Sequence, residues 1–204
     1  MTLVKICGIC DAGAAFAAIE AGADMLGLQF CASKRRISLG EARAIVAELP
    51  DRRPQLVGVF IDQSEAEVRG IADLVGLDAV QLHGAERPGF DCGRPVIKSL
   101  KVRDGVVPDA SAWPDPVLLD SWSADRRGGT GRTWDWEVAR ELVARRRVIV
   151  AGGLTPVNVA EVVRAHRPFG VDVSSGVEAS VRVKDPNLMR AFVQAVHDAD
   201  EGGR

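Results

Sequence analysis

Groups that could do chemistry recur just after short apolar segments of this 204-residue sequence. The segment 170–173 runs into Ser174-Ser175-Gly176, and the segment 148–151 runs into Gly152-Gly153. A strand that ends in such a small, donor-rich loop can hold a phosphate group on its backbone N–H groups. We therefore expect a phosphate-binding site formed by Gly152, Gly153, Ser174 and Ser175.

Five further side chains stand at or after comparable apolar segments. They supply one thiol, one guanidinium, one imidazole and two carboxyl groups, namely Cys7, Arg35, His83, Asp120 and Asp172. A thiolate and a carboxyl group can act as a base and an acid. A free thiol has a pKa of about 8.5, so the pKa of a catalytic Cys7 must be lowered. Lys5 on the same strand face, or a helix N-terminus, could lower it. To act as a general acid, Asp120 needs a raised pKa. Desolvation, or a neighbouring carboxylate such as Asp172, would raise it.

Short apolar segments alternate with amphipathic ones almost from end to end. We predict strands near 3–7, 24–30, 56–61, 78–82, 95–99, 116–120, 147–151 and 169–173, and helices near 11–22, 39–49, 64–75, 134–145, 156–165 and 185–198. Eight strands joined by helices predict a parallel sheet, and eight is the number that closes a barrel. The fold expected is a single-domain (β/α)8 barrel, of the TIM-barrel class, over residues 1–198, with a disordered tail at 199–204.

Two crossovers are too rich in proline and glycine for full helices. The segments 84–94 and 101–115 contain Pro88, Gly89, Gly93, Pro108 and Pro114, so we expect short or missing helices after strands 4 and 5. An open doubly wound sheet is the alternative fold. No Gly-x-Gly-x-x-Gly follows the first strand, which argues against a dinucleotide-binding sheet.

The active face of a parallel barrel lies at the C-terminal ends of its strands. Alternation along a strand places Cys7 on the same side as Lys5, and His83 on the same side as Gln81. The intervening apolar residues Val4, Ile6, Val80 and Leu82 should then face the helices. The polar groups at the strand ends are thus expected to meet at one end of the barrel.

The composition is that of an ordinary globular protein, with 47% hydrophobic residues, 26% charged residues and a net charge of −2. So small a charge gives no reason to expect nucleic acid or an anionic membrane as a partner. No apolar run reaches the ~18 residues that a membrane span needs, and the N-terminus lacks a signal-peptide layout. We expect a cytoplasmic protein.

The four cysteines are expected to be reduced thiols, and Cys31 and Cys92 lack the paired spacing of metal ligands, so no metal is expected. Cys7-Gly-Ile-Cys10 has the Cys-x-x-Cys spacing of thioredoxin-like redox sites. A redox domain has no use for eight strands or two phosphate loops. A disulfide between Cys7 and Cys10 would, as a hypothesis, silence an enzyme that uses Cys7 as its base.

An ordered set of motifs spans nearly the whole chain. It comprises Lys5–Ile9, Val57–Phe60, Gln81–Gly84, Leu119–Ser121, Gly128–Gly131, Ala151–Leu154 with Asn158, and Val171–Glu178 with Lys184 and Asp185. Taken in this order, the motifs resemble those of the phosphoribosylanthranilate isomerase family, which acts at the third step from anthranilate to tryptophan.

The resemblance implies a cofactor-free (β/α)8 barrel that performs an Amadori rearrangement of N-(5-phosphoribosyl)anthranilate. By matching positions, Asp120 is the general acid, Cys7 the general base, and Arg35 or its neighbour Arg36 the ligand of the anthranilate carboxylate. His83 and Asp172 are expected to line the substrate pocket, and Gly128–Gly131 to lie in a flap that closes over it. The partner is a small-molecule substrate. Family members are monomers or dimers, and the lack of a long exposed apolar stripe favours a monomer.

Two other functions are compatible with parts of the pattern. A related sugar-phosphate isomerase of histidine synthesis, or an enzyme with both substrates, would use paired aspartates at the first and sixth strand ends, and Cys7 replaces the first of these. A non-catalytic barrel that binds a phosphorylated metabolite would keep Gly153 and Ser174 but would not need Cys7 and Asp120 together.

Overall fold

Eight parallel strands close into a barrel in which each strand pairs with the next in sequence and β8 pairs with β1. The computed structural model describes residues 1–121 and 136–202. The barrel strands are β1 (Leu3–Cys7), β2 (Met25–Gln29), β3 (Gln55–Phe60), β4 (Ala79–Leu82), β5 (Val96–Val102), β6 (Val117–Ser121), β7 (Val148–Val150) and β8 (Gly170–Val173). The predicted single-domain barrel is confirmed, and every predicted strand overlaps an observed one.

Helices cover much of the outside of this barrel. They are α1 (Ala12–Ala21), α2 (Leu39–Glu48), α3 (Glu65–Val75), α4 (Arg140–Arg145, preceded by a 3-10 turn at Trp136–Ala139), α5 (Val159–His166) and α6 (Pro186–Glu201). Ser38 and Ser64 begin α2 and α3 with capping boxes, in which serine and a glutamate three residues later satisfy each other's backbone N–H groups. Gly22 ends α1 in a left-handed conformation that glycine adopts without strain.

The crossovers after β4 and β5, all of whose residues are described, contain no helix. The outer faces of these strands are covered instead by loop residues, among them the buried Cys92, Ala110 and Trp113. This confirms the prediction drawn from the prolines and glycines of the two segments. The barrel wall therefore has a sector without helices between β4 and β6.

The strand residues divide between two packing layers, as their alternation predicts. Val4, Ile6, Val80 and Leu82 belong to the large core between strands and helices. A smaller apolar cluster fills the lower barrel interior and includes Met25, Val57, Ile97, Leu118 and Ile149.

Above this lower interior cluster lies one buried ion pair, in which Lys5 Nζ on β1 is 2.8 Å from Asp172 Oδ1 on β8. The side chains of Lys5 and Asp172 are only 1% and 10% exposed. The pair bridges the two strands that close the ring.

The C-terminal segment departs from the prediction of a disordered tail at 199–204. Helix α6 continues to Glu201 because Asp200 accepts hydrogen bonds from Thr2 N at 2.6 Å and Thr2 Oγ1 at 2.9 Å, and Ala199 is buried. That prediction is wrong for residues 199–201, and residues 203–204 lie outside the described part.

A small antiparallel hairpin, β9 (Glu178–Ser180) and β10 (Val183–Lys184), stands between β8 and α6 and was not predicted. Among the described residues, no helix is long and apolar enough to cross a membrane.

Candidate active site

A cavity of about 350 Å³ opens at the C-terminal ends of the strands. The structure brings all nine site residues expected from the sequence to its wall: Cys7, Arg35, His83, Asp120, Gly152, Gly153, Asp172, Ser174 and Ser175. Cys7 at the end of β1 and Asp120 on β6 face the same space, while Leu119 points outward into the core. The expected flap at Gly128–Gly131 lies outside the described residues.

Cys7 is held in a tight, polar position. The side-chain amide of Gln29 donates to its Sγ at 3.5 Å. Gly27 on the neighbouring strand leaves the space that the sulfur occupies, because a Cβ added at Gly27 would lie 2.8 Å from Cys7 Sγ. Burial by itself lowers the pKa of Lys5, but its interactions with Asp172 and Cys7 outweigh burial and raise it. Lys5 is therefore a permanent cation next to the thiol.

Cys31, rather than Cys10, is the second sulfur beside Cys7. Cys7, Cys31 and Val59 form one buried cluster at the cavity wall. Cys10 turns away, with its Sγ 3.5 Å from Gly8 O and 3.6 Å from Arg35 O. All four cysteines are free thiols, so the hypothesis of a Cys7–Cys10 disulfide gains no support from this arrangement.

Of the two candidate arginines, Arg35 lines the cavity, whereas Arg36 is exposed and borders a groove with residues of α2 and α3. The guanidinium of Arg35 donates two hydrogen bonds to the carboxylate of Glu178, with Nε and Nη2 each 2.6 Å from a carboxylate oxygen. These bonds are the main reason that the pKa of Arg35 is raised above its ordinary value.

His83 is a neutral imidazole in this site. Burial, followed by the charges of Lys5, Lys101 and Lys98, lowers its pKa from 6.5 to about 3. Its Nε2 is in short contact with the side-chain amide nitrogen of Gln81. In the neutral ring Nε2 can accept that hydrogen bond, which leaves Nδ1 as the protonated nitrogen.

The loops after β7 and β8 form the glycine- and serine-rich end of the cavity. Gly152 and Gly153 have φ values of +89° and +71°, which glycine adopts readily. Asn158 fixes the first loop, accepting from Thr155 N at 2.8 Å and donating to Gly153 O at 3.0 Å. The two loops touch at Gly176, where an added Cβ would lie 1.9 Å from Leu154 O.

An unpaired hydroxyl belongs to the same end of the cavity. The Oγ of Ser174 is buried without a hydrogen-bond partner among the described residues. A buried polar atom of this kind is suited to an anionic ligand that supplies the missing partner. Within residues 1–121 and 136–202, no group of His, Cys, Asp or Glu side chains could hold a metal ion.

Four residues in or next to the site escaped the sequence reasoning. Gln29 and Gln81 were not proposed as part of the site, although the alternation of side chains along each strand places them on its inward face. Glu178 and Lys184 were noted only as motif positions. The contact of Glu178 with Arg35 spans 143 residues of sequence, so no local pattern could reveal it.

The family model of N-(5'-phosphoribosyl)anthranilate isomerase matches residues 4–195. The chain belongs to this family. The isomerase of Pelobacter propionicus is 45% identical to it over 199 residues, which cover 95% of each chain.

Solved phosphoribosylanthranilate isomerase structures agree with the barrel. The enzyme of Thermus thermophilus has a TM-score of 0.86 at 37% identity and covers 97% of this chain and 99% of its own. A second isomerase, in complex with reduced 1-(o-carboxyphenylamino)-1-deoxyribulose 5-phosphate, has a TM-score of 0.82 at 33% identity and covers 97% of this chain and 100% of its own. Membership of the phosphoribosylanthranilate isomerase family identifies the chain as an isomerase of tryptophan biosynthesis, rather than a redox domain or a non-catalytic barrel.

Proposed function

We propose that the chain converts N-(5-phosphoribosyl)anthranilate into 1-(o-carboxyphenylamino)-1-deoxyribulose 5-phosphate, with Cys7 as general base and Asp120 as general acid. The observation that carries the proposal is that the thiol, the carboxyl group, Arg35 and the two glycine- and serine-rich loops face one cavity. The family relative crystallised with the reduced form of this product supports the choice of substrate.

The cavity offers one group for each part of that substrate. Backbone N–H groups around Gly152, Gly153 and Ser175, with the unpaired hydroxyl of Ser174, suit the phosphate. The guanidinium of Arg35 suits the anthranilate carboxylate. A substrate held at both ends has its ribose between them, within reach of Cys7 and Asp120.

The reaction then needs two proton transfers. Asp120 donates a proton to the ribose ring oxygen as the C1–O bond breaks, and the nitrogen lone pair forms the C1=N bond of a Schiff base. The thiolate of Cys7 removes the C2 proton, the C2–H electrons form a C1=C2 bond, and the C1=N electrons return to nitrogen. The resulting enol becomes the C2 ketone when C1 gains a proton and the C2 hydroxyl loses one. The ammonium of Lys5 lies close enough to balance the thiolate charge.

His83 and Asp172 act on the substrate without a net proton transfer. The neutral imidazole of His83 can donate one hydrogen bond to a sugar hydroxyl. Asp172 is bound to Lys5 through Oδ1 at 2.8 Å and lines the cavity, so its carboxylate can accept from a ribose hydroxyl.

Cys7→Ser and Asp120→Asn test the assignment. Each keeps the shape of the site but removes one proton-transfer group, so we expect kcat to fall by about 100-fold or more. The affinity for the reduced product should stay within about threefold of wild type, because neither residue binds the phosphate or the carboxylate. The wild-type gene, but not the Cys7→Ser gene, should restore growth of a tryptophan auxotroph that lacks this step. Full turnover in both variants would refute the proposed roles, and an inactive wild type would refute the reaction.

A further inference from the structure

We propose that Glu178 and Lys184 are positioning residues that link the carboxylate-binding Arg35 to the phosphate-binding loop at Ser174, so that the two ends of the substrate are bound cooperatively. The inference rests on the proposed function, since it assumes that Arg35 and Ser174 hold the two ends of one substrate. It assigns a positioning role to two residues that do not touch the substrate, and it couples the two ends of the binding site.

Glu178 uses both carboxylate oxygens within a buried site. Oε1 accepts from Arg35 Nε at 2.6 Å and from Lys184 Nζ at 3.1 Å, and Oε2 accepts from Arg35 Nη2 at 2.6 Å. The Glu178 side chain is only 5% exposed. The fork of Arg35 is therefore fixed in one plane, and Nη1 is the guanidinium nitrogen that Glu178 leaves for a ligand.

Lys184 continues the chain of contacts to the other end of the cavity. Its fully buried ammonium donates to Ser174 O at 2.9 Å as well as to Glu178. Ser174 begins the loop Ser174–Gly176, which lines the phosphate end of the cavity. A continuous path of hydrogen bonds thus runs from Arg35 through Glu178 and Lys184 to Ser174.

The charges of this path favour an anionic ligand. Two cations, Arg35 and Lys184, share the single carboxylate of Glu178, so the buried group keeps a net positive charge. Burial lowers the pKa of Lys184, and Glu178 only partly opposes that effect. Burial raises the pKa of Glu178, but Arg35 and Lys184 together lower it below its ordinary value. A carboxylate bound to Arg35 would balance the remaining positive charge.

The hairpin between β8 and α6 is the element that brings the path together. Glu178 begins β9, Lys184 ends β10, and the two residues are partners in its antiparallel register. The hairpin projects the exposed side chains of Val181 and Val183 and otherwise packs little apolar surface. Its best-defined contribution to the molecule is therefore the pairing of Glu178 with Lys184.

Glu178→Gln tests the path because it keeps the side-chain volume but removes the charge that grips Arg35. Binding is measured with two probes, reduced 1-(o-carboxyphenylamino)-1-deoxyribulose 5-phosphate and the same compound made from aniline, which lacks the ring carboxylate. We expect Kd for the first probe to rise about tenfold or more, as for a lost hydrogen bond to a charged group, and Kd for the second to change less than about threefold. A purely structural loss would weaken both probes equally, and that result would refute the inference.

Two further variants keep the test decisive if Glu178→Gln folds poorly. Lys184→Met should weaken binding of inorganic phosphate as well as of the first probe, because Lys184 holds the Ser174 carbonyl. In an Arg35→Met background, Glu178→Gln should cause little further rise in Kd for the first probe. If the two residues acted independently, the fold-changes in Kd would multiply. Multiplied effects, or a Lys184→Met variant with wild-type affinities, would overturn the coupling.

Asp73→Asn is the matched control. It breaks the exposed Arg94–Asp73 pair, at 2.8 Å, at the opposite end of the barrel, and should leave both Kd values unchanged. Turnover of phosphoribosylanthranilate by the wild type is measured separately. No turnover would refute the proposed function, whereas turnover combined with an unchanged Kd in Glu178→Gln would refute only the inference.

Discussion

Charge pairing organises the individual side chains of the site. The cations Lys5, Arg35 and Lys184 each contact Asp172 or Glu178, and these contacts hold long, flexible side chains in one orientation. Preorganised groups of this kind stabilise developing charge without rearranging during the reaction. In the proposed mechanism Cys7 and Asp120 transfer the protons, and the paired residues set where the substrate lies.

The neutral state of His83 has a consequence for stability against pH. The unfolded chain binds a proton on this imidazole below about pH 6.5, whereas the folded protein resists protonation until about pH 3. The unfolded state therefore holds more protons between these values, and stability falls as the pH falls through this window. In His83→Gln this contribution disappears, so we expect the loss of unfolding free energy from pH 7.5 to pH 5 to shrink by about 2 kcal/mol.

Urea denaturation at the two pH values checks this expectation. His197→Gln, on the outer helix α6, is the matched control and should keep the wild-type pH dependence, because His83 is still present. Equal pH dependence in His83→Gln and the wild type would show that the imidazole is protonated in the folded protein.

At the scale of secondary-structure elements, the close approach of β1 and β2 determines where the sulfur lies. Gly27 is the partner of Cys7 in the parallel register, and its lack of a side chain admits Sγ. Gly27→Ala would place a Cβ 2.8 Å from that sulfur and force it to move. A displacement of about 1 Å in a reacting group lowers rates by about 100-fold, so we expect kcat to fall by at least tenfold.

Gly70→Ala is the control for the Gly27 substitution. Gly70 lies inside α3, and an added Cβ meets nothing within 4 Å. Alanine favours a helix over glycine by about 1 kcal/mol, so this variant should melt at a higher temperature with unchanged kcat. Steady-state kinetics and thermal melts of the two variants decide the matter. Normal turnover by Gly27→Ala would show that the added Cβ does not displace the Cys7 sulfur from its productive position.

The elements were predictable from the sequence because their signals are local. Alternation, caps such as Ser64 and Gly22, and the prolines of the two crossovers are written within a few residues of the structures that they specify. Ordered motifs then placed Cys7 and Asp120 at strand ends. The grip of Glu178 on Arg35 and the contact of Asp200 with Thr2 join residues more than 140 positions apart. Such contacts depend on how the barrel closes, so no window of sequence contains them.

For the molecule as a whole, the Lys5–Asp172 pair lies at the seam where the last strand meets the first. The two residues are 167 positions apart, and their side chains are 1% and 10% exposed. Lys5→Met would leave the carboxylate of Asp172 buried without its counter-ion. We expect the free energy of unfolding to fall by about 3–5 kcal/mol, as for other broken buried pairs.

A second substitution separates charge from packing at the seam. Lys5→Met combined with Asp172→Leu removes both charges, so it should recover much of the stability lost by Lys5→Met alone. Lys101→Met, which removes an exposed lysine from β5, is the matched control and should change stability by less than about 0.5 kcal/mol. Urea titrations give all four values. A double variant less stable than Lys5→Met would contradict this account of the seam.

The sector of wall without helices has a consequence for how the barrel opens. Helices shield the outer faces of most strands, whereas β4 to β6 are covered by loops around Cys92 and Trp113. Backbone segments with fewer buried neighbours open locally at a smaller free energy than the rest of a fold. We therefore expect local opening of the barrel to begin in this sector, beside His83 and Asp120.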